Sequence, residues 1–381
     1  MEPVIKKGLI FGIMVIVYAS LVSVPGLAHN KDHTYAIYVP CGEVWEKHDL
    51  HISTPNSLYE YYRGKNHDFD DPAKFVTPHA LQPVADDVWR VCEDLSSGEE
   101  AFVNAVLMLI HQIPYKASVV SYAIETIVND NGDCDTLSYL AASILRAGGL
   151  DVVLAEYAAQ KHTNLGVHLS SAPIYSSSTS ATYYQYEGKR YYVAECTARG
   201  GDVRDDWRVG EGPPELAGAR AQILCLESCE GPSPATVSSR VDAPLAASSI
   251  TITASSDTMQ VGDMVELRGT TSPSSSGRQV VIYLSSSRFY WSVLQTLQTD
   301  ASGSYSYQWK PSSKGPCYLR ASVSGGEEHA VADSETYILN VSTQSNAINN
   351  LITMGFTFMA VVSILVGFSA TEIVKTIREF L

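Results

Sequence analysis

The segment Gly132-Asp133-Cys134 predicts a helix that begins at a cysteine. Asp133 is a good N-cap, and Gly148-Gly149 is a good stop. Between them, apolar residues recur with the 3-4 spacing of one buried helical face, at Leu137, Leu140, Ala141, Ile144 and Leu145. In the first turn, backbone N–H groups and the helix dipole would stabilise a thiolate at Cys134. Such a cysteine fits the nucleophile of a hydrolase or acyltransferase, and it equally fits a buried or disulfide-bonded thiol.

Composition limits the classes of partner and cofactor. The chain has 381 residues and a net charge of −15, so it is long enough for two or three domains and too acidic to favour a nucleic-acid partner. Its seven cysteines are an odd number, which leaves at least one thiol unpaired in an exported monomer. Cys225 and Cys229 lack the second half of a zinc site, so no metal and no cofactor are expected.

The N-terminal end carries an apolar run. Residues Gly8 to Ala28 are uncharged and follow Lys6-Lys7. Small residues near Ala28 are typical of a cleavage region. Residues 1–28 are therefore predicted to be a signal peptide or an uncleaved signal anchor.

A second uncharged run covers Leu351 to Ala370, with Lys375 and Arg378 close behind it. Its length would cross a hydrocarbon core of about 30 Å as a helix, which predicts a transmembrane segment at 351–370. The positive-inside rule then puts residues 29–350 outside the cell. We expect a single- or double-pass protein of the cell membrane, attached through this C-terminal helix. A buried soluble helix is the alternative for this run.

The remaining chain divides by pattern. Residues 29–230 are predicted to be one domain with an N-terminal extension; from about residue 75 it has helices first and an antiparallel sheet afterwards, which is typical of the α+β class. Residues 231–247 are rich in Pro, Ser and Ala and predict a linker. Residues 248–342 contain short alternating strands separated by turns, which predict a β-sandwich.

A thiolate nucleophile needs a histidine, and the histidine needs a group that orients it. His162 and His168 lie downstream of Cys134 on one predicted strand, about 20 Å apart, so only one can serve the cysteine. Glu195, at the end of another predicted strand, could orient the histidine. Taken singly, each of these residues also fits an ordinary surface position.

The order of these pieces resembles that of the transglutaminase-like superfamily, in particular its archaeal and bacterial cell-surface members. The similarity covers roughly residues 48–225. It rests on six segments: Ile52–Tyr62, Phe75–Pro78, Glu125–Asp135, His162–Val167, Tyr191–Thr197 and Val209–Leu216.

The resemblance implies Cys134 as nucleophile, His162 as general acid and base, and Glu195 as the orienting acid, and it sets His168 aside. It also implies a papain-like α+β fold, in which a helix carrying the cysteine packs on an antiparallel sheet. Family members place an oxyanion-hole glutamine three residues before the proline that is Pro114 here. This chain has His111 at that position and Gln112 next to it, and both are oxyanion-hole candidates.

Residues 248–342 resemble prokaryotic Ig-like modules, through Thr299–Pro311 and Lys314–Ala321. Together these features predict a membrane-anchored extracellular cysteine peptidase or amidase that forms a thioester with a protein or peptide substrate at the cell surface. Two alternatives stay open. A crosslinking acyltransferase would resolve the thioester with an amine, and a cell-surface adhesion or scaffold protein would have no catalysis.

Overall fold

The computed structural model describes residues 30–177 and 180–343, together with Lys375, Arg378 and Glu379. The predicted signal segment 1–28 and the apolar run Leu351 to Ala370 lie outside the described residues.

Five α-helices lie in the first half of the described chain. Their bounds are α1 (Asn56–Arg63), α2 (Gln82–Asp94), α3 (Glu99–His111), α4 (Ala123–Asn129) and α5 (Cys134–Ala147). In helix α3 all ten residues from Ala101 to Ile110 are buried, so other parts of the protein surround this stretch on every side. Single 3-10 turns occur at Pro72–Phe75, Pro78–Leu81, Val203–Asp205 and Pro214–Leu216.

Strands make up more of the chain than helices do. The bounds in the described residues are β1 (Lys31–Cys41), β2 (Val44–Thr54), β3 (Val152–Tyr157), β4 (His162–Val167), β5 (Tyr183–Tyr186), β6 (Lys189–Ala194), β7 (Gln222–Cys225), β8 (Ser238–Val241), β9 (Ser249–Ile250), β10 (Thr253–Ala254), β11 (Thr258–Gln260), β12 (Val265–Ser272), β13 (Gln279–Ser285), β14 (Ser292–Gln298), β15 (Ser304–Trp309), β16 (Gly315–Val323), β17 (Ala332–Asp333) and β18 (Tyr337–Ser342).

The N-terminal sheet has the order β1-β2-β8 and packs on α3. Alternate residues of β1 are buried, which gives this hairpin one core face. Strand β8 comes from the segment 231–247 that composition predicts to be a linker. The structure has a packed strand there in place of a free linker. Ser238 and Ser239 are buried, and the Ser239 hydroxyl donates to Asp87 Oδ2 at 2.5 Å.

A five-stranded antiparallel sheet has the order β5-β6-β4-β3-β7. Helix α5 packs on β3 and β4, the central part of this sheet. The buried residues of α5, among them Leu137, Leu140 and Ile144, fill the space between the two layers. This contact fixes where the first turn of α5 lies relative to the ends of the strands.

The C-terminal region is a two-sheet β-sandwich. One sheet has the order β10-β12-β15 with β9 beside β12, and the other has the order β11-β18-β16-β13-β14 with β17 beside β16. Their facing residues form one apolar core, which includes Leu267 and Tyr305 from the first sheet and Ile282, Leu319 and Leu339 from the second.

The sandwich also shares a core with the helical region. Tyr283 is fully buried, and its ring centroid lies 6.3 Å from that of Tyr61 next to it in the main cluster. Arg320 donates to Glu60 at 2.8 Å, and buried Asp333 accepts from the Ser57 N–H at 2.7 Å. The two regions therefore meet through buried apolar and charged side chains.

The predicted fold class is wrong for this chain. The expectation was a papain-like α+β core, an Ig-like sandwich and terminal hydrophobic helices. Instead the described residues are mainly β, with 35% of them in strands and 23% in helices, and the strands are spread over several sheets. The long hairpin β1–β2 and the strand β8 account for much of the difference, because their mixed polar and aromatic sequence has too little regular alternation to stand out.

The predicted attachment to a membrane is also corrected. Within the residues that the structure describes, no helix is both long enough and apolar enough to span a bilayer. A partner membrane reached through a C-terminal helix, and a single- or double-pass location in the cell membrane, are therefore not supported.

Candidate active site

The start of α5 is held by Asp133. Its Oδ1 accepts from the Thr136 N–H at 3.2 Å, while the Asp133 N–H donates to the Thr136 hydroxyl at 3.0 Å. The other carboxylate oxygen accepts from the Ser118 N–H at 3.2 Å. This reciprocal cap fixes the first turn, so Cys134 is presented at the N-terminal end of the helix with only 8% of its surface exposed.

The sheet register brings a histidine and a carboxylate to the same place. Leu165 pairs with Ala194, so Asn164 and Glu195 lie opposite each other just beyond that pair. His162 is two residues before Asn164 and therefore shares its face of the strand, diagonal to Glu195. The His162 Nε2 donates to Glu195 Oε2 at 2.8 Å.

His162 also reaches the cysteine. The ring interacts with Cys134, and because Nε2 faces Glu195, Nδ1 is the nitrogen left for the sulfur. The sulfur itself lies 3.9 Å from the Lys161 carbonyl oxygen, one residue before His162. Burial opposes the charge on His162, but the hydrogen bonds with Cys134 and Glu195 outweigh it and raise the pKa of His162 to about 10. The arrangement favours an imidazolium next to the sulfur at neutral pH.

Glu195 is completely buried and has three donors. Besides His162, its carboxylate accepts from Asn164 Nδ2 at 3.2 Å and from the Thr197 N–H at 2.8 Å. The Tyr184 hydroxyl in turn donates to Asn164 Oδ1 at 2.6 Å. The sequence analysis missed Asn164 and Tyr184; the position of Asn164 two residues after His162, on the same strand face, was the available signal.

The two oxyanion-hole candidates have other partners. His111 Nε2 donates to the backbone carbonyl of Glu195 at 2.8 Å, and burial lowers the pKa of His111. Gln112 accepts from the Ala36 N–H at 3.0 Å and donates to the Ala36 carbonyl at 2.7 Å, which ties α3 to β1. His111 therefore holds the backbone of Glu195, Gln112 holds strand β1, and neither is among the contacts of Cys134.

Two groups remain near the sulfur as donors. First-turn N–H groups of a helix have no intrahelical acceptor, so the backbone N–H of Cys134 is open to a ligand. Tyr115 pairs with Gly132 in an isolated β-bridge, and its side chain is 59% exposed. Burial and the charges at Cys134 and Asp133 raise the pKa of Tyr115, so its phenol is a neutral donor. Sequence reasoning did not single out Tyr115.

His168 takes no part in this cluster. Its Nδ1 contacts the Arg190 carbonyl at 2.9 Å, at the far end of β4 from His162. All seven cysteines are free thiols, Cys134 among them. In the described part of the chain, no group of three or more His, Cys, Asp or Glu side chains is arranged to hold a metal.

An open groove of about 360 Å³ adjoins His162. Its lining includes Gln160, Thr197, Arg199, Trp207 and Leu216. His162 therefore forms part of the wall of this groove.

The comparisons with known proteins add no family. No family model matches the chain, and no curated protein matches it. Among solved structures, a CARDB domain from Pyrococcus furiosus is 13% identical and covers 26% of this chain and 94% of that domain, with a TM-score of 0.20. The sulfur carrier protein SoxY from Chlorobium limicola is 14% identical, with coverages of 26% and 86% and a TM-score of 0.20.

A tetra-tandem repeat of a large adhesion protein is 11% identical and covers 51% of this chain and 42% of its own, with a TM-score of 0.23. Similarities this weak carry no argument about the fold or the function of this protein.

Proposed function

We propose that this protein is a cysteine peptidase or amidase of the transglutaminase-like type, acting through Cys134, His162 and Glu195. The observation that carries the proposal is the hydrogen bond from His162 to buried Glu195, on a ring that also interacts with Cys134. It supplies a nucleophile, a proton carrier and a buried carboxylate that fixes the ring, which is the combination that acyl transfer to a thiol requires.

The reaction has two steps. The Cys134 thiolate attacks the amide carbonyl carbon, the C–N bond breaks, and the amine leaves with a proton from His162, giving a thioester. Water then attacks the thioester while His162 accepts its proton, and a carboxylic acid and the free thiolate result. The Cys134 N–H and the Tyr115 hydroxyl are the donors that we assign to the negative oxygen of the intermediates.

Two alternatives to hydrolysis are a crosslinking reaction and a scaffold protein without catalysis. An amine in place of water would make the same thioester a crosslinking intermediate. The engagement of His111 and Gln112 with backbone groups favours the third reading, a scaffold protein without catalysis, because a missing oxyanion donor costs about 10²–10³ in rate.

Thiol labelling separates these outcomes. The purified protein is treated with an iodoacetamide probe at pH 6.5, and the modified residue is found by mass spectrometry. We expect Cys134 to react first, and His162→Ala to slow this reaction. Cys225→Ala is the matched control, because Cys225 is an exposed thiol away from the site, and this variant should label like the wild type.

Turnover is then followed with fluorogenic peptide amides and with a fluorescent primary amine. Release of the fluorophore that is lost in Cys134→Ala supports hydrolysis. Covalent incorporation of the amine supports crosslinking instead. Preferential labelling of Cys225, with Cys134 inert and His162→Ala without effect, would leave the scaffold as the better reading.

A further inference from the structure

The groove beside His162 contains an arginine stacked on a tryptophan. The Arg199 guanidinium carbon lies 3.4 Å from the centroid of the Trp207 ring, and both side chains line the groove together with His162. The Arg199 side chain is 41% exposed. The triad uses neither residue.

A buried carboxylate builds this stack. Asp206 accepts from the Arg199 N–H at 3.0 and 3.1 Å and from the Trp207 N–H at 2.8 Å. One carboxylate thus fixes the backbone of both residues and brings their side chains together. A stacked guanidinium keeps a fixed plane and loses little further freedom when it binds a ligand.

Most of the guanidinium donors are open. Among the described residues, the charged partner of Arg199 is Glu211, at 3.5 Å from one terminal nitrogen. The buried Glu211 carboxylate has other donors besides Arg199, because it also accepts from the Ser177 hydroxyl at 2.8 Å and from the Arg208 N–H at 3.2 Å. Glu211 is buried and is not part of the groove lining, whereas Arg199 is.

We infer that this groove is a substrate subsite for a carboxylate, which Arg199 binds while lying flat on Trp207. The inference rests on the proposed function, since it makes the substrate an acidic peptide. A planar, five-donor guanidinium matches a carboxylate in a bidentate geometry. The carboxylate belongs either to an acidic side chain or to the free C-terminus of a peptide, and both offer the same two oxygens.

Glu215 limits what the groove accepts. It is exposed and lines the same groove, so its charge repels a second anion and weakens the attraction for the first. Removal of this charge in Glu215→Gln should therefore strengthen the preference for acidic peptides. This response reports that the bound carboxylate lies near Glu215, and the Arg199 variants identify the group that binds it.

The test uses four matched fluorogenic peptides: Glu or Gln at the variable position, each with a free or amidated C-terminus. In the full-length wild type we expect the Glu peptide or the free-acid peptide to have the higher kcat/KM, and the pair that differs identifies the source of the carboxylate. Arg199→Met should lower kcat/KM of the preferred acidic peptide by about tenfold and leave its neutral counterpart unchanged. Arg199→Lys should keep part of the preference.

Arg204→Met is the matched control. Arg204 is an exposed arginine on the same connection, bound to Asp202 and outside the groove, so its loss should not alter selectivity. An equal preference of the wild type for acidic and neutral peptides, or an equal loss for both in Arg199→Met, would overturn the inference.

A binding measurement separates this result from the proposed function. Titration of Cys134→Ala with the same peptides, followed by tryptophan fluorescence and calorimetry, needs no turnover. Absence of turnover in the wild type, with a charge preference in binding that Arg199→Met removes, would reject the proposed reaction and keep the subsite. Turnover without any charge preference would support the proposed reaction and reject the carboxylate subsite.

Discussion

The His162 Nε2 lies 2.8 Å from Glu195 Oε2, and the carboxylate has no exposed surface. A buried carboxylate is stable only when its oxygens are paired, and here a histidine, an asparagine and a backbone N–H supply the partners. The ring of His162 is therefore fixed in one orientation, with its other nitrogen toward Cys134.

Replacing Glu195 with glutamine keeps the shape of the side chain but removes its charge. Because the ring loses the group that stabilises the imidazolium and sets its orientation, we expect kcat on any peptide substrate to fall by on the order of 10²–10⁴-fold. Glu156→Gln is the matched control, since Glu156 lies on the same sheet and pairs with Thr163 rather than with the site. Equal activity of Glu195→Gln and the wild type would contradict the role of the carboxylate.

The protonation of His162 gives a pH dependence of stability. Hydrogen bonds with Cys134 and Glu195, working against burial, raise the pKa of His162 to about 10 from an ordinary value of 6.5. The folded state therefore holds this proton more tightly than the unfolded chain does. Its contribution to the free energy of unfolding is complete below pH 6.5 and is lost as the pH rises through about 10.

Urea denaturation of the wild type and of His162→Gln at several pH values checks this. The stability difference between the two proteins should shrink between pH 6.5 and 10. An NMR titration of the His162 ring should show a midpoint well above the ordinary histidine value of 6.5. A His162 midpoint near 6.5 would show that no ion pair forms with the cysteine.

The two aspartates next to Cys134 should have opposite effects on its reactivity. Asp133 caps α5, so Asp133→Ala should lower the free energy of unfolding by about 1 kcal/mol and slow alkylation of the thiol. Asp135 Oδ1 lies 3.8 Å from the sulfur, where a negative charge disfavours a thiolate. Asp135→Asn should therefore speed alkylation at pH 6. Alkylation rates and urea midpoints of the two variants, measured side by side, test the difference in sign.

Tyr283 joins the sandwich to the helical region. It is fully buried, and its hydroxyl has no hydrogen-bond partner among the described residues. We expect Tyr283→Ala to cost about 3–5 kcal/mol, because it leaves a cavity in the shared core. Tyr283→Phe should be neutral or stabilising, since it removes an unpaired buried polar group.

Tyr290→Ala serves as control for the same part of the sandwich, because Tyr290 is 70% exposed, and its effect should stay within about 0.5 kcal/mol. Thermal unfolding followed at separate probes in the two regions should give one transition in the wild type. Independent transitions would mean that the sandwich and the helical region do not share a core.

Local sequence signals located the parts of the candidate site. The cap at Asp133, the helical spacing after Cys134 and the turn residues at Gly148-Gly149 act over a few neighbours, and the helix runs from Cys134 to Ala147. The order of Cys134, His162 and Glu195 led to the same three residues that the structure groups together. Their chemical roles stay predictions until thiol reactivity and turnover are measured.

Long-range contacts decided what the sequence could not. Segment 231–247 has the composition of a linker, yet its strand β8 completes a sheet with β2, nearly two hundred residues earlier in the chain. His111 and Gln112 are suitable oxyanion donors by residue type, but packing of α3 turns them toward the backbone of Glu195 and Ala36. The direction of a side chain depends on its neighbours in the packed structure, and these neighbours cannot be read from a single sequence.

The sequence by itself determined the helix that begins at Cys134 and its cap, because capping and helical periodicity are interactions between near neighbours. The choice of His162 and Glu195 came from the resemblance in order to a known family. Only the tertiary structure decided that the chain is mainly β, that the sandwich shares a core with the helices, and that Asp206 brings Arg199 onto Trp207 beside His162. These features depend on strand pairing and burial between residues far apart in the chain. Many alternative pairings suit the same local pattern, and the free energy of the packed core selects among them.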